Sequence, residues 1–174
     1  MSRNALWPLL GAALVLGVAA GCVRGAQGEA GTTPATVERV VDGDTLLLGN
    51  GERVRLLQID APEAGEECYA GRATAELMRL VPRGRRIALE TDSVSDARDR
   101  YGRLLRYVHV RRTNVNVELV RQGAATPYFY DGQRGTYARR LLAAVAEARR
   151  ARRGMWGHCL VVWHPESPVT TRPR

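Results

Sequence analysis

The residues with chemistry to offer crowd between Val40 and Glu63. Asp44, Asp60 and Glu63 supply carboxylates there, and Arg55 supplies a guanidinium. Carboxylates are the hard oxygen donors that calcium and magnesium take, and a guanidinium forks onto phosphate. Such a set can bind a divalent cation, orient a water and grip a phosphate. Each acid taken singly has a plainer reading, because Asp-Gly pairs make turns and a carboxylate after a strand commonly caps one. A second polar run, Asp99-Arg100-Tyr101-Gly102-Arg103, adds two more arginines. Arg103 either reaches back to the first cluster or forms a surface ion pair with one of Asp92, Asp96 and Asp99, a contact worth little. Tyr101 either stacks on a planar ligand or packs its ring on the domain.

The elements that position these groups follow from local pattern. Val41-Asp42-Gly43-Asp44-Thr45 puts a turn-favouring pair between apolar flanks, so a bend leads into a strand over 45–48. Gly49-Asn50-Gly51 turns the chain back into a strand over 53–59. Asp60 falls where that strand ends, because Pro62 lacks an amide proton and holds Ala61 extended. Strands are also predicted over 36–41, 86–91 and 104–110. A helix over 70–80 places Ala70, Ala73, Leu77 and Leu80 at helical spacing, and Pro82-Arg83-Gly84 stops it. A short helix over 114–121 ends at Gly123. A longer one over 134–152 sets Tyr137, Leu141, Ala144 and Ala148 against a face of arginines. Five strands with one helix after the third suggest a small closed barrel, although the pattern alone defines only a mixed α and β domain.

The 174 residues suffice for one domain with tails. The net charge is +8, and every basic residue is arginine. Arginine suits bidentate contacts to phosphate, so nucleic acid is a natural partner, although compositional bias alone can replace lysine. Residues 1–22 read as an export signal: Arg3, an apolar run over 6–20, then Ala19-Ala20-Gly21-Cys22. The apolar run is short for a membrane span. Small residues before a cysteine resemble a lipoprotein signal, in which Cys22 would carry the lipid and anchor the chain to a membrane. Ala19 stands where that motif usually has leucine, and an ordinary signal cleaved nearby is the other reading. Loss of residues 1–21 removes Arg3 and leaves 25 arginines against 18 acids, a charge of +7. Residues 23–34 read as a flexible tether, 35–160 as the domain, and 161–174, rich in Pro, Ser and Thr, as a flexible tail.

The two polar runs, with Val120-Arg121-Gln122-Gly123 and Gly154-Met155-Trp156, resemble the thermonuclease family of staphylococcal-nuclease-like domains over residues 36–156. The resemblance implies an α+β fold, a five-stranded OB-like β-barrel with three helices, on a surface that often carries oligonucleotides. It also implies one calcium ion held by Asp44 and Asp60 with the backbone carbonyl of Ala61. Glu63 would activate water, and Arg55 and Arg103 would clamp the phosphate. Ala61 stands where the family usually has threonine. That matters only if the hydroxyl, rather than the carbonyl, serves the metal. The acidic loop Ala64-Gly65-Glu66-Glu67 either repels substrate or adds weak ligands. Tyr128-Phe129-Tyr130 falls near where family tyrosines approach the nucleotide, without a residue-by-residue match.

The resulting expectation is an exported, monomeric, calcium-dependent nuclease of DNA and RNA. A non-catalytic nucleic-acid-binding barrel at the cell envelope is the alternative. Intact Asp44, Arg55, Asp60, Glu63 and Arg103 favour the enzyme. If lipid takes Cys22, two cysteines remain in an oxidising compartment, and a Cys68–Cys159 disulfide would pin the C-terminal segment beside Glu63; two free thiols are the alternative.

Overall fold

The computed structural model describes Met1, residues 31–65 and residues 67–174. Apart from Met1, the expected export signal with Cys22 and the expected tether up to residue 30 lie outside the described residues, as does Glu66.

Strand β1 (Thr32–Val40) pairs antiparallel with β2 (Thr45–Leu48), which pairs with β3 (Arg53–Leu56). The Asp42-Gly43-Asp44 bend makes the first connection, and Gly51, at φ +84°, lies in the second. The strand predicted over 53–59 is split. Leu57 still donates its N–H to the Arg106 carbonyl (2.9 Å), but Gln58 takes a left-handed φ of +58° that few side chains adopt. Its amide is held by the Gln133 carbonyl (2.9 Å) and the Tyr107 hydroxyl (2.8 Å). The chain is thereby turned into β4 (Ile59–Asp60), a separate short strand.

Helix α1 (Ala70–Leu80) buries Ala70, Ala73 and Leu77. Strands β5 (Arg86–Glu90) and β6 (Leu104–Val110) follow, with β5 between β1 and β6. Strand β6 then pairs in parallel with β3, Val54 opposite Leu104, and this pairing closes a five-stranded barrel. A short β7 (Thr113–Asn114) leads into α2 (Val115–Arg121), whose first turn is capped by the Asn114 side chain accepting from Val117 N–H. Strand β8 (Thr126–Pro127) pairs with β4. Helix α3 (Ala138–Arg150) packs Leu141, Ala144, Val145 and Ala148 inward. The fold is therefore the α+β, OB-like barrel with three helices.

Two boundaries are corrected. Strand β1 begins at Thr32, inside the expected tether, because residues 32–36 pair with β5. Pro34 is tolerated there because β2 pairs only from Val37 onward, leaving that edge of β1 open. The expected tail is instead a β-hairpin of β9 (Cys159–His164) and β10 (Ser167–Pro173). Its residues alternate: Cys159, Val161 and Trp163 face inward while Leu160, Val162 and His164 face out, and Val169 and Thr171 are buried on β10. Met155, Cys159 and Val169 form a small second core against Cys68, Tyr69 and Trp156. Trp163 donates its indole N–H to the Pro127 carbonyl (2.8 Å). A disulfide joins Cys68 to Cys159, with Cα atoms 6.1 Å apart, and ties the hairpin to the segment before α1.

Candidate active site

Arg55, in β3, is the hub. One terminal nitrogen donates to the carbonyls of Leu56 (2.8 Å) and Ile59 (2.6 Å), and the other meets Asp60 Oδ1 (2.9 Å) and Asp44 Oδ2 (3.0 Å). Asp44 arrives from the bend before β2, whose shape is set by its N–H donating to Asp42 Oδ1 (3.1 Å). Thr45 Oγ1 donates to Asp44 Oδ1 (3.1 Å), and Ala61 N–H donates to Asp44 Oδ2 (3.0 Å). The bend passes so close to Ala61 that a Cβ on Gly43 would lie 2.6 Å from the Ala61 Cβ, so glycine is required at 43. Asp60 Oδ2 accepts from Val169 N–H of β10 (2.9 Å).

Asp44 and Asp60 are thus buried acids sharing one guanidinium, two negative charges against one positive. Burial pushes the Asp44 carboxyl up to about 7; Arg55 opposes the shift, and Asp42 and Asp60 add to it. Burial likewise raises Asp60 against the pull of Arg55. Glu63 is exposed, and partial desolvation followed by the charges of Asp60 and Asp42 pushes its carboxyl upward. Under-neutralised hard oxygens of this kind fit a divalent cation. Among the described residues no three His, Cys, Asp or Glu side chains form a complete cage, so water or phosphate oxygens would have to complete a shell.

A pH dependence follows. An acid whose carboxyl is raised on folding binds its proton more tightly in the native state, so stability falls as pH rises from the unfolded value near 3.8 to about 7. Without divalent ions, urea midpoints should decline from pH 4 to about pH 7 and then level off. Calcium, which favours the charged acids, should flatten the decline. A pH-independent midpoint in chelator would contradict this reading of Asp44.

Arg103 does not reach the acids of the first cluster. Its Nε donates to Asp99 Oδ2 (2.6 Å), its backbone N–H donates to Asp99 Oδ1 (3.0 Å), and its guanidinium lies 5.5 Å from the Tyr101 ring centre. Desolvation would raise Asp99, but these hydrogen bonds hold its carboxyl below the usual range. Arg103 and Arg55 nevertheless line one groove of about 490 Å³, together with Gln58, Tyr101, Tyr128 and Tyr130. Tyr101 and Tyr130 are both exposed there. In Tyr128, desolvation and then the charge of Asp60 raise the phenol.

Sequence reasoning passed over Asp42, Val169 and the specific contacts of Glu67. Asp42 was visible as the first acid of an Asp-Gly-Asp turn. Val169 was not, since it acts through its backbone and approaches Asp60 from 109 positions away.

A closed OB-like barrel with an acid–arginine cluster whose arginine also lines a tyrosine-bearing groove is an architecture suited to phosphate chemistry. Residues 53–158 match the family described as staphylococcal nuclease homologue, and the chain belongs to that family. It is 33% identical over 128 residues to a thermonuclease of Staphylococcus intermedius, an alignment covering 69% of this chain and 74% of that protein. It is 37% identical over 132 residues to a micrococcal nuclease of Shigella flexneri, covering 69% and 71%. To the SPbeta prophage-derived endonuclease YokF of Bacillus subtilis (strain 168) it is 39% identical over 105 residues, covering 55% of this chain and 35% of that protein.

Proposed function

We propose that the chain is an exported, calcium-dependent endonuclease that hydrolyses phosphodiester bonds of DNA and RNA. The observation that carries this reading is the Arg55 fork on two buried acids, opening onto the groove that Arg103 shares. The nuclease names of its relatives support the reaction class. Family membership supports calcium, and the Asp44–Asp60 pair has the oxygen chemistry for it, with the Ala61 carbonyl as a further donor. Bound there, calcium would help neutralise the phosphate.

The chain's own residues supply the remainder. Glu63, exposed and with its carboxyl raised, accepts a proton from the attacking water more readily than an ordinary glutamate. Arg103 uses Nε on Asp99, and among the described residues its terminal nitrogens make no hydrogen bond to protein, leaving them for phosphate oxygens. Arg55 lines the same groove and, with its terminal nitrogens on Asp44, Asp60 and two carbonyls, brings its positive charge to where charge builds in the transition state. Tyr101 offers a face for a base. The signal-like residues 1–22 support export, and Cys22 would carry a lipid that holds the enzyme at a membrane.

The test is degradation of plasmid DNA and of RNA by the purified, oxidised protein with calcium or with chelator. Chelator should abolish cutting and calcium should restore it. Robust cutting in chelator, or binding without cutting in every divalent ion tried, would overturn the reading.

A further inference from the structure

We propose that Glu67 is a positioning residue, a two-headed carboxylate that fixes the backbone of Glu63 to the C-terminal hairpin. The inference rests on the nuclease reading for its catalytic consequence and on geometry for the clamp itself. Glu67 Oε2 accepts from Glu63 N–H (2.8 Å), and Oε1 accepts from Thr171 N–H (2.9 Å). Both oxygens are therefore engaged by backbone amides, which sets Glu67 apart from the open acids of a ligand set. The loop is also tied at its ends, with Glu67 N–H donating to the Glu63 carbonyl (3.2 Å).

The other side of the clamp is equally defined. Along a strand, amides two positions apart point the same way. On β10 two such amides face the site: Val169 N–H donates to Asp60 and Thr171 N–H to Glu67. Thr171 is anchored in turn, its Oγ1 donating to the Cys68 carbonyl (2.6 Å), and Cys68 is joined by the disulfide to the first residue of β9. One edge of one strand thus holds a proposed metal ligand directly and the proposed general base through Glu67. Sequence pattern offers Glu67 only as one acid of an acidic loop; its partner lies 104 positions away.

A loosened Glu63 should slow the chemical step and spare substrate binding, because Glu67 does not line the groove and among the described residues makes no hydrogen bond to a residue that does. Misplacing a reacting group by about 1 Å can cost about 10²-fold in rate. In the full oxidised chain with calcium, Glu67→Ala should lower kcat about tenfold or more with KM within about twofold. Amide hydrogen exchange at both Glu63 and Thr171 should accelerate. Glu67→Gln has nearly the same shape but one acceptor oxygen, so it should keep one of the two amides protected and recover part of kcat. A kcat for Glu67→Ala within about twofold of wild type would overturn the proposal, as would unchanged exchange at Glu63 in both variants. If the wild-type protein cuts neither DNA nor RNA, the nuclease reading fails, while exchange at Glu63 and Thr171 still decides the clamp.

Discussion

Replacing Arg55 with alanine is expected to remove both turnover and stability, whereas replacing Arg103 removes turnover alone. Arg55 is largely buried between two largely buried carboxylates. Deleting one partner of a buried charge cluster leaves the others uncompensated, typically at a cost of about 3–5 kcal/mol. Removing a donor to a developing charge costs about 10²–10³ in rate. Arg55→Ala should show both effects, read from urea unfolding in chelator and from steady-state cleavage. Calcium should restore part of the stability, because its charge replaces the lost guanidinium, without restoring the rate. Arg103→Ala should lose a similar factor in rate and little stability, since Asp99 keeps the backbone amides of Tyr101 and Arg103 as donors. Arg103→Lys should recover little, because an ammonium cannot fork onto phosphate. Near-normal turnover in Arg103→Ala would mean that its ion pair with Asp99 is its whole role.

The second large effect is expected from the disulfide. Cys68 and Cys159 are 91 positions apart, so their link removes a long loop's worth of freedom from the unfolded chain. The chain-entropy account gives about 4–5 kcal/mol for loops near that length. Joint replacement by serine should lower the urea-unfolding free energy by an amount of that order and accelerate exchange at Val169 and Thr171 before it does so in the barrel. A loss below about 1 kcal/mol would show that the second core holds the hairpin without the covalent link.

What was legible in the sequence was what local pattern encodes. Helix α1 follows from Ala70, Ala73 and Leu77 at helical spacing, ended by the Pro82-Arg83-Gly84 turn. Asp60 falls at a strand end, just ahead of Pro62. The acid–arginine grouping was legible through the family resemblance more than through chemistry, since single acids near turns carry little information. The parts that stayed hidden depend on remote partners. Nothing local marks Gln58 as the residue that breaks β3, because its support comes from Tyr107 and Gln133. The hairpin is hidden because Pro, Ser and Thr outweigh a continuous apolar run, Cys159 to Trp163, whose alternation shows only in its burial. Through the resemblance Arg55 reads as a phosphate clamp; what the fold shows is a counter-ion for Asp44 and Asp60.

The hairpin's grip on the site also bears on the order of events during biosynthesis. A chain emerges from its N-terminal end, and its early parts begin to fold first. Asp44, Arg55, Asp60 and Glu63 are all made long before β10, which arrives more than 100 positions after Asp60. Until Val169 emerges, the Asp60 carboxylate lacks the donor to its Oδ2; until Thr171 emerges, the Glu67 that holds the Glu63 amide has no strand to lean on. The cysteine at 68 must wait as well, because its partner at 159 follows the last helix. A nascent chain therefore carries the reactive side chains without the frame that aims them. The geometry proposed for catalysis is completed late, once the last strand and the disulfide are in place.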